Sequence, residues 1–288
     1  MTALRDTGWA KLNLTLEVLG RRPDGFHELN SLVAFARLGD TIELEPGGAL
    51  DLDVEGPFAP ALSGDNLIVR AAEAASRITP GVKLGGFRLI KMLPVAAGLG
   101  GGSADAAAAL RLIARANQGA LPDAALAELA PKLGSDVSVC LKSRPALMTG
   151  RGETVEPVRG FPSCGVLLAN PGPALATEAV YAGLRAGALA APPRPQAETL
   201  DFQDDFERLI AYALPRGNDL EAPAAQLAPS IRGVLAALLS LEGVRIARLS
   251  GSGPTCFALF ATEEEAKRAA ATLAEAHPDW WTVSSTLG

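Results

Sequence analysis

One stretch constrains this chain more than any other: Pro94-Val95-Ala96-Ala97-Gly98-Leu99-Gly100-Gly101-Gly102-Ser103-Ala104, with four glycines in five positions. A strand signal over 86–92 runs into it, and an Ala-, Leu- and Arg-rich helical run over 104–115 leaves it. Glycine lets another group approach the backbone closely, and a helix start offers free N–H groups at the positive end of its dipole, so phosphate oxygens are the natural guests. Two familiar phosphate loops fail on spacing. A P-loop has Lys directly after its last glycine, where this chain has Ser103. A dinucleotide fingerprint needs Gly or Ala three residues after the second glycine of its pair, but Gly98/Gly100 leads to Ser103 and Gly100/Gly102 to Asp105. Ser103 stands where it can cap the helix or touch a phosphate or its metal ion. The bland alternative, a flexible strand-to-helix turn, is opposed by the Pro94 start and the alanine-rich helix.

A strand, loop and helix of this kind needs an α/β core, and 288 residues with 48% hydrophobic and 20% charged side chains can bury one. The length suits two domains, with a boundary near 160 that gives 1–160 and 161–288. A net charge of −6 offers no attraction to nucleic acid or an anionic membrane, so the expected partner is a small molecule. Cys140, Cys164 and Cys256 lack zinc or disulfide spacing and read as buried free thiols. Residues 1–10 hold no apolar run and no stretch approaches a membrane span, so the expected compartment is the cytoplasm.

Residues 11–20 read as a strand, 21–25 as a turn, and 29–35 and 40–44 as two further strands. Asp65 reads as the cap of a helix over 66–77, and Asp123 as the cap of one over 124–133 that stops at Gly134 and leaves Asp136 near a helix end. A hairpin is predicted around 150–152 and a strand over 164–169. The run 190–195, with three prolines, reads as an extended linker. Strands over 244–249 and 256–261, a helix over 263–276 with a Thr262/Glu265 capping box, and a strand over 281–287 predict a ferredoxin-like second domain.

Three motifs in order make the glycine stretch specific. Ala10-Lys11-Leu12-Asn13-Leu14, the stretch itself, and Leu249-Ser250-Gly251-Ser252-Gly253-Pro254-Thr255-Cys256 together resemble the galactokinase, homoserine, mevalonate and phosphomevalonate (GHMP) kinase superfamily. Arg22-Pro23-Asp24-Gly25-Phe26-His27-Glu28-Leu29 and Gly134-Ser135-Asp136-Val137 resemble its diphosphocytidyl-methylerythritol kinase branch, of non-mevalonate (methylerythritol phosphate) isoprenoid synthesis. The resemblance implies an α+β, two-domain fold, N-terminally like ribosomal protein S5 and C-terminally ferredoxin-like. It implies ATP and Mg²⁺, transfer of the γ-phosphoryl group to a 2-hydroxyl, and ligands meeting in a cleft between domains. A monomer or homodimer is compatible with it.

By that resemblance Asp136 is the general base, and Lys11 the ammonium that keeps it ionised and stabilises the forming alkoxide. His27 hydrogen-bonds the cytosine, Phe26 stacks on it, and Asn13 holds the substrate near Lys11. Thr177, Gly251, Ser252 and Gly253 are further substrate contacts. Asn66 joins residues 94–104 at the nucleotide, with Ser103 a candidate Mg²⁺ ligand. Taken singly, Lys11 reads as a solvated strand residue, His27 as a satisfied imidazole, Asp136 as a helix cap, and 250–253 as a hairpin loop. Trp280-Trp281 reads as an anchor of the last strand. Two departures touch local geometry: Trp9 and Ser138 stand where the family commonly has proline. Another GHMP small-molecule kinase, of homoserine or mevalonate type, and a catalytically silent ligand sensor on this fold remain the alternatives.

Overall fold

The computed structural model describes residues 3–62, 64–190 and 199–288. In chain order the elements are β1 (Leu4–Asn13), β2 (Glu17–Arg21), β3 (His27–Pro46), β4 (Asp51–Glu55), α1 (Leu67–Ile78), β5 (Gly85–Ile90), α2 (Gly101–Ala116), α3 (Asp123–Leu133) and α4 (Val137–Lys142). Then follow β6 (Ala146–Gly150), β7 (Thr154–Pro157), β8 (Cys164–Asn170), α5 (Thr177–Leu184), α6 (Phe206–Ala213), α7 (Glu221–Leu227), α8 (Ser230–Leu239), β9 (Ile246–Leu249), β10 (Cys256–Phe260), α9 (Glu263–Ala276) and β11 (Trp281–Leu287). They form two compact units that interleave along the chain. The first gathers Met1–Lys11, Leu38–Val95 and Gly100–Ser143; the second gathers Leu12–Arg37, Ala96–Leu99 and Arg144–Gly288.

In the first unit β4 runs parallel to β5, which pairs antiparallel with the distal half of β3. Helix α2 is buried on several sides, with Ala104 and Ala106–Ala109 all excluded from water, because alanine lets α1 and α4 pack close to its backbone. The stripe Ile68, Ala71, Ala72 and Ala75 supplies the buried face of α1.

In the second unit β11, β8, β10 and β9 lie side by side, every neighbour antiparallel. Counting β8 as the first of the four, the spatial order is 4-1-3-2 with α9 crossing between β10 and β11, the predicted ferredoxin-like arrangement. Thr262 Oγ1 accepts from Glu265 N and the Glu265 carboxylate accepts from Thr262 N, the capping box read from sequence. All three cysteines are free and buried.

The structure corrects several local expectations. The two strands expected over 29–35 and 40–44 are one strand of 20 residues. Gly39 lies within that strand, where a Cβ would strike the Gly8 carbonyl, so this glycine allows β1 and β3 to approach. The strand expected over 11–20 is two, because Leu14 N and Thr15 N both donate to Leu32 O and break the ladder. Asn66, not Asp65, caps α1, accepting from Ile68 N at 2.9 Å, while Asp65 pairs with Arg70. Pro122 holds the cap position expected for Asp123, which is the first residue of α3. Helix α2 begins at Gly101, and its cap position is Gly100 rather than Ser103. Helices α5 to α8 fill a region the sequence reading left without elements. Of the proline-rich run, residues 191–195 lie outside the described residues. No helix among the described residues is long and apolar enough to cross a membrane.

Candidate active site

The loop from Pro94 to Gly100 follows an alternating path. Ala97 and Leu99 are buried as anchors, whereas Ala96, Gly98 and Gly100 adopt left-handed φ of 51°, 74° and 63°. Only glycine does this freely, and the non-glycine Ala96 marks stored backbone strain. Pro94 and Val95 lie half-buried at the entrance. Gly98 packs so closely on the Ser250 carbonyl and Gly253 N that no Cβ fits. Gly98→Ala is therefore expected to lower the melting temperature by several degrees and weaken ATP binding, read by thermal melting and nucleotide titration.

At the far end of the loop, Gly100 starts α2 without any side-chain cap, and the first intrahelical bond is Ala104 N to Gly100 O. The amides of Gly101, Gly102 and Ser103 thus point forward from the helix start, an anion-binding arrangement. Gly102 is exposed, Ala104 is buried in the helix packing, and the Ser103 hydroxyl lies half-buried toward Gly134.

The same unit brings Lys11 and Asp136 together. Lys11 Nζ donates to Asp136 Oδ2 at 2.7 Å across 125 residues of sequence. The Lys11 side chain is 5% exposed and that of Asp136 32%, so the ammonium is sealed in while the carboxylate remains reachable. Asp136 occupies the cap position of α4 but makes no capping bond; its carboxylate turns to Lys11 instead. Gly100 lies against both: a Cβ there would sit 3.3 Å from Lys11 Cβ and 3.7 Å from Asp136 Oδ2. The acid–base pair therefore abuts the mouth of α2. Trp9 lies within β1 and Ser138 in the first turn of α4, its hydroxyl buried without a partner.

Beneath that mouth lies a buried cluster that sequence reading missed. Lys91 Nζ bonds Asp40 Oδ2 and, at 2.9 Å, Asp105 Oδ2, while Asp40 Oδ1 accepts from Met92 N and Leu93 N at 2.6 and 2.8 Å. Burial, opposed by Lys91 and assisted by Asp40, pushes the Asp105 carboxyl up to about 8. Burial works against the Lys91 ammonium, but the two carboxylates outweigh it and raise its pKa.

The second unit holds the other candidates except Asn66, which belongs to the first. His27 opens β3 and stacks on Tyr181 of α5 with ring centroids 4.9 Å apart. Burial, with help from the Arg21 charge, lowers the His27 pKa and favours the neutral imidazole. Phe26 is 51% exposed, and the Arg151 guanidinium sits 4.7 Å from its ring centroid. Buried Glu28 fixes this turn, accepting from Arg22 at 2.6 Å and from Gly150 N at 3.1 Å. Asn13 Nδ2 donates to Ser31, whereas its Oδ1 is buried without a partner and faces Gly251 at 3.2 Å from where a Cβ would stand. Thr177 and Ser252 share a hydroxyl bond of 2.9 Å. The carboxamide oxygen of Asn66 is engaged in the α1 cap, leaving its NH₂ for any nucleotide. Tyr181 and Arg151 had no local signal; each acquires a partner only through the fold.

Comparison with known proteins decides the family. Residues 66–144 match the GHMP kinases N terminal domain and residues 202–279 the GHMP kinases C terminal domain. A 4-diphosphocytidyl-2-C-methyl-D-erythritol kinase of Rhodopseudomonas palustris (strain BisB18) is 48% identical over 99% of this chain and 95% of its own. One of Parvibaculum lavamentivorans is 49% identical over 97% and 96%. The chain belongs to the 4-diphosphocytidyl-2-C-methyl-D-erythritol kinase family. The crystal structure of a 4-(cytidine 5'-diphospho)-2C-methyl-D-erythritol kinase superposes on this family member with a TM-score of 0.76 at 33% identity, covering 99% of each chain. A homoserine kinase from Cytophaga hutchinsonii, TM-score 0.69 at 15% identity over 99% of this chain and 95% of its own, shares the fold. The protein is thus a kinase of the GHMP fold, with ATP its co-substrate.

Proposed function

We propose that the protein transfers the γ-phosphoryl group of ATP to the 2-hydroxyl of 4-diphosphocytidyl-2-C-methyl-D-erythritol, releasing ADP and the 2-phosphate, in cytoplasmic non-mevalonate isoprenoid synthesis. The observation that carries this reading is the 2.7 Å Lys11–Asp136 pair lying against the uncapped start of α2. A hydroxyl that attacks phosphorus must lose its proton, and the partly exposed Asp136 carboxylate is the group that accepts it. The sealed ammonium of Lys11 holds that carboxylate in place and stabilises the alkoxide as charge develops. The amides of residues 101–103 hold the nucleotide phosphates.

No cluster of three or more acidic, His or Cys side chains among the described residues is built to hold a metal by itself. Mg²⁺ takes most of its ligands from phosphate oxygens and water. The Ser103 hydroxyl at the α2 start is the protein oxygen that would join them, and the bound ion would neutralise phosphate charge.

The cytosine reading rests on Phe26 and His27, one exposed and the other backed by Tyr181. Asn13, Thr177 and residues 251–253 are the remaining acceptor contacts, the unpartnered Asn13 Oδ1 being an open acceptor for a substrate hydroxyl. Stacking and edge contacts contribute about 1–3 kcal/mol per base, so His27→Ala is expected to raise KM for the acceptor roughly 10- to 100-fold and leave KM for ATP unchanged. ADP release from purified protein with MgATP and the diphosphocytidyl acceptor tests the whole reading, with homoserine and mevalonate as comparison acceptors. Turnover no higher than in an acceptor-free control rejects it.

A further inference from the structure

The glycine-rich turn between β9 and β10 has little regular hydrogen bonding of its own: Ser250 N reaches Thr255 O and Gly253 N reaches Ser250 O. It is held mainly from outside: Thr255 N donates to Ala97 O at 3.2 Å, the Ser250 hydroxyl donates to Gly98 O at 2.8 Å, and one carboxamide belonging to none of the motifs binds two of its carbonyls. Asn218, in the connection between α6 and α7, is 8% exposed. Its Nδ2 donates to Leu249 O at 2.9 Å and to Gly251 O at 2.8 Å, and its Oδ1 accepts from Leu220 N at 2.9 Å. Both amide protons and one acceptor position are thereby used, a pattern that needs a planar group with two donors and an acceptor.

The peptide that carries Asn218 is itself clipped to the β1–β2 connection. Leu16 N donates to Gly217 O at 3.0 Å, Asp219 N to Leu16 O at 2.9 Å, and Val18 N to Asp219 Oδ2 at 2.7 Å. Neighbouring Glu221 accepts from Leu249 N at 3.0 Å, and Arg248 donates to Leu14 O at 2.6 Å. Residues 14–18 and 249–251 are thus held on one frame. That frame stations Gly251, at φ 55°, beside the unpartnered Asn13 Oδ1.

We infer that Asn218 is a positioning residue for the acceptor: it fixes the Leu249 and Gly251 carbonyls so that Gly251, Ser252 and Asn13 keep one geometry toward the substrate. This rests on the kinase reading above. Asn218 touches neither substrate nor nucleotide and acts through the turn. Aspartate at this position keeps the acceptor for Leu220 N but turns an anion toward two carbonyl oxygens, so the turn is displaced while the shape of the side chain is retained.

The test compares Asn218→Asp and Asn218→Ala by kinetics and by amide hydrogen exchange of residues 249–255 without ligand. Both variants are expected to raise KM for the acceptor about tenfold or more, to leave KM for ATP within about twofold, and to speed exchange at Gly253 and Thr255. Combined with Ser252→Ala, the effect on KM is expected to be less than multiplicative, because both changes act on the same turn. Acceptor KM within twofold of wild type in both variants, fully multiplicative effects with Ser252→Ala, or unchanged exchange in the turn each overturn the inference. Should wild-type protein prove silent toward the acceptor, the kinase reading fails, and the exchange measurement alone decides whether Asn218 holds the turn.

Discussion

Asp136→Asn is expected to lower kcat by about a thousandfold, within the range of about 10²–10⁴ that a positioned general base contributes, while KM for ATP stays within a few-fold. The amide has the shape of the carboxylate and keeps an oxygen for the Lys11 ammonium, so the 2.7 Å contact and the packing at the α2 mouth survive. What it loses is the capacity to take a proton. The measurement is steady-state ADP release at saturating ATP and acceptor, with thermal melting to show an intact fold. A kcat within tenfold of wild type would remove Asp136 from the chemistry and leave it as a packing partner of Lys11. Lys11→Met tests the other half: it leaves Asp136 able to take a proton through its exposed side but without its electrostatic partner, so a substantial kcat loss follows.

Lys91→Met has the largest expected effect on stability. Removing one partner of a buried ion pair costs about 3–5 kcal/mol, because the remaining charge has lost its counterion. Here Asp40 is fully buried and Asp105 nearly so, with Lys91 the ammonium between them. A loss of that size lowers the melting temperature by roughly five to ten degrees. Asp105→Asn should behave oppositely. With its carboxyl raised to about 8, Asp105 retains a proton in the folded protein that the unfolded chain, near its ordinary 3.8, has released. Folding therefore becomes less favourable as pH rises from about 4 to about 8, and the dependence ends above the folded value. An amide carries no such proton, so Asp105→Asn flattens the fall in melting temperature between pH 5 and 8 and is tolerated at pH 8. A melting curve for Lys91→Met that matches wild type, or a pH dependence untouched by Asp105→Asn, would contradict this account of the cluster.

The elements that were legible in advance depend on neighbours a few residues apart. The Thr262/Glu265 box, the limits of α9 and β11 and the glycine-to-helix junction at 98–104 are written in side chains that act on their own or adjacent turns. Even there, local rules named plausible caps in the wrong place: Asp65 and Ser103 each have the right chemistry, but Asn66 and Gly100 hold the positions. Gly39 shows the same limit from another side. Local rules associate glycine with turns, and nothing within a few residues reveals that the Gly8 backbone lies against it.

The charged pairs depended on the fold. Lys11 meets Asp136 across 125 residues and Lys91 meets Asp40 across 51, while His27 finds Tyr181 only where β3 passes α5. Propensity and periodicity describe a window of a few turns, whereas an ion pair depends on where two distant backbones are brought by burial of the elements that carry them. The chain's residues thus specified which groups were available for phosphate, proton and base chemistry. Which of them stand within hydrogen-bonding distance, and which are sealed from water, was decided by packing, since contact and desolvation exist only once the core has closed.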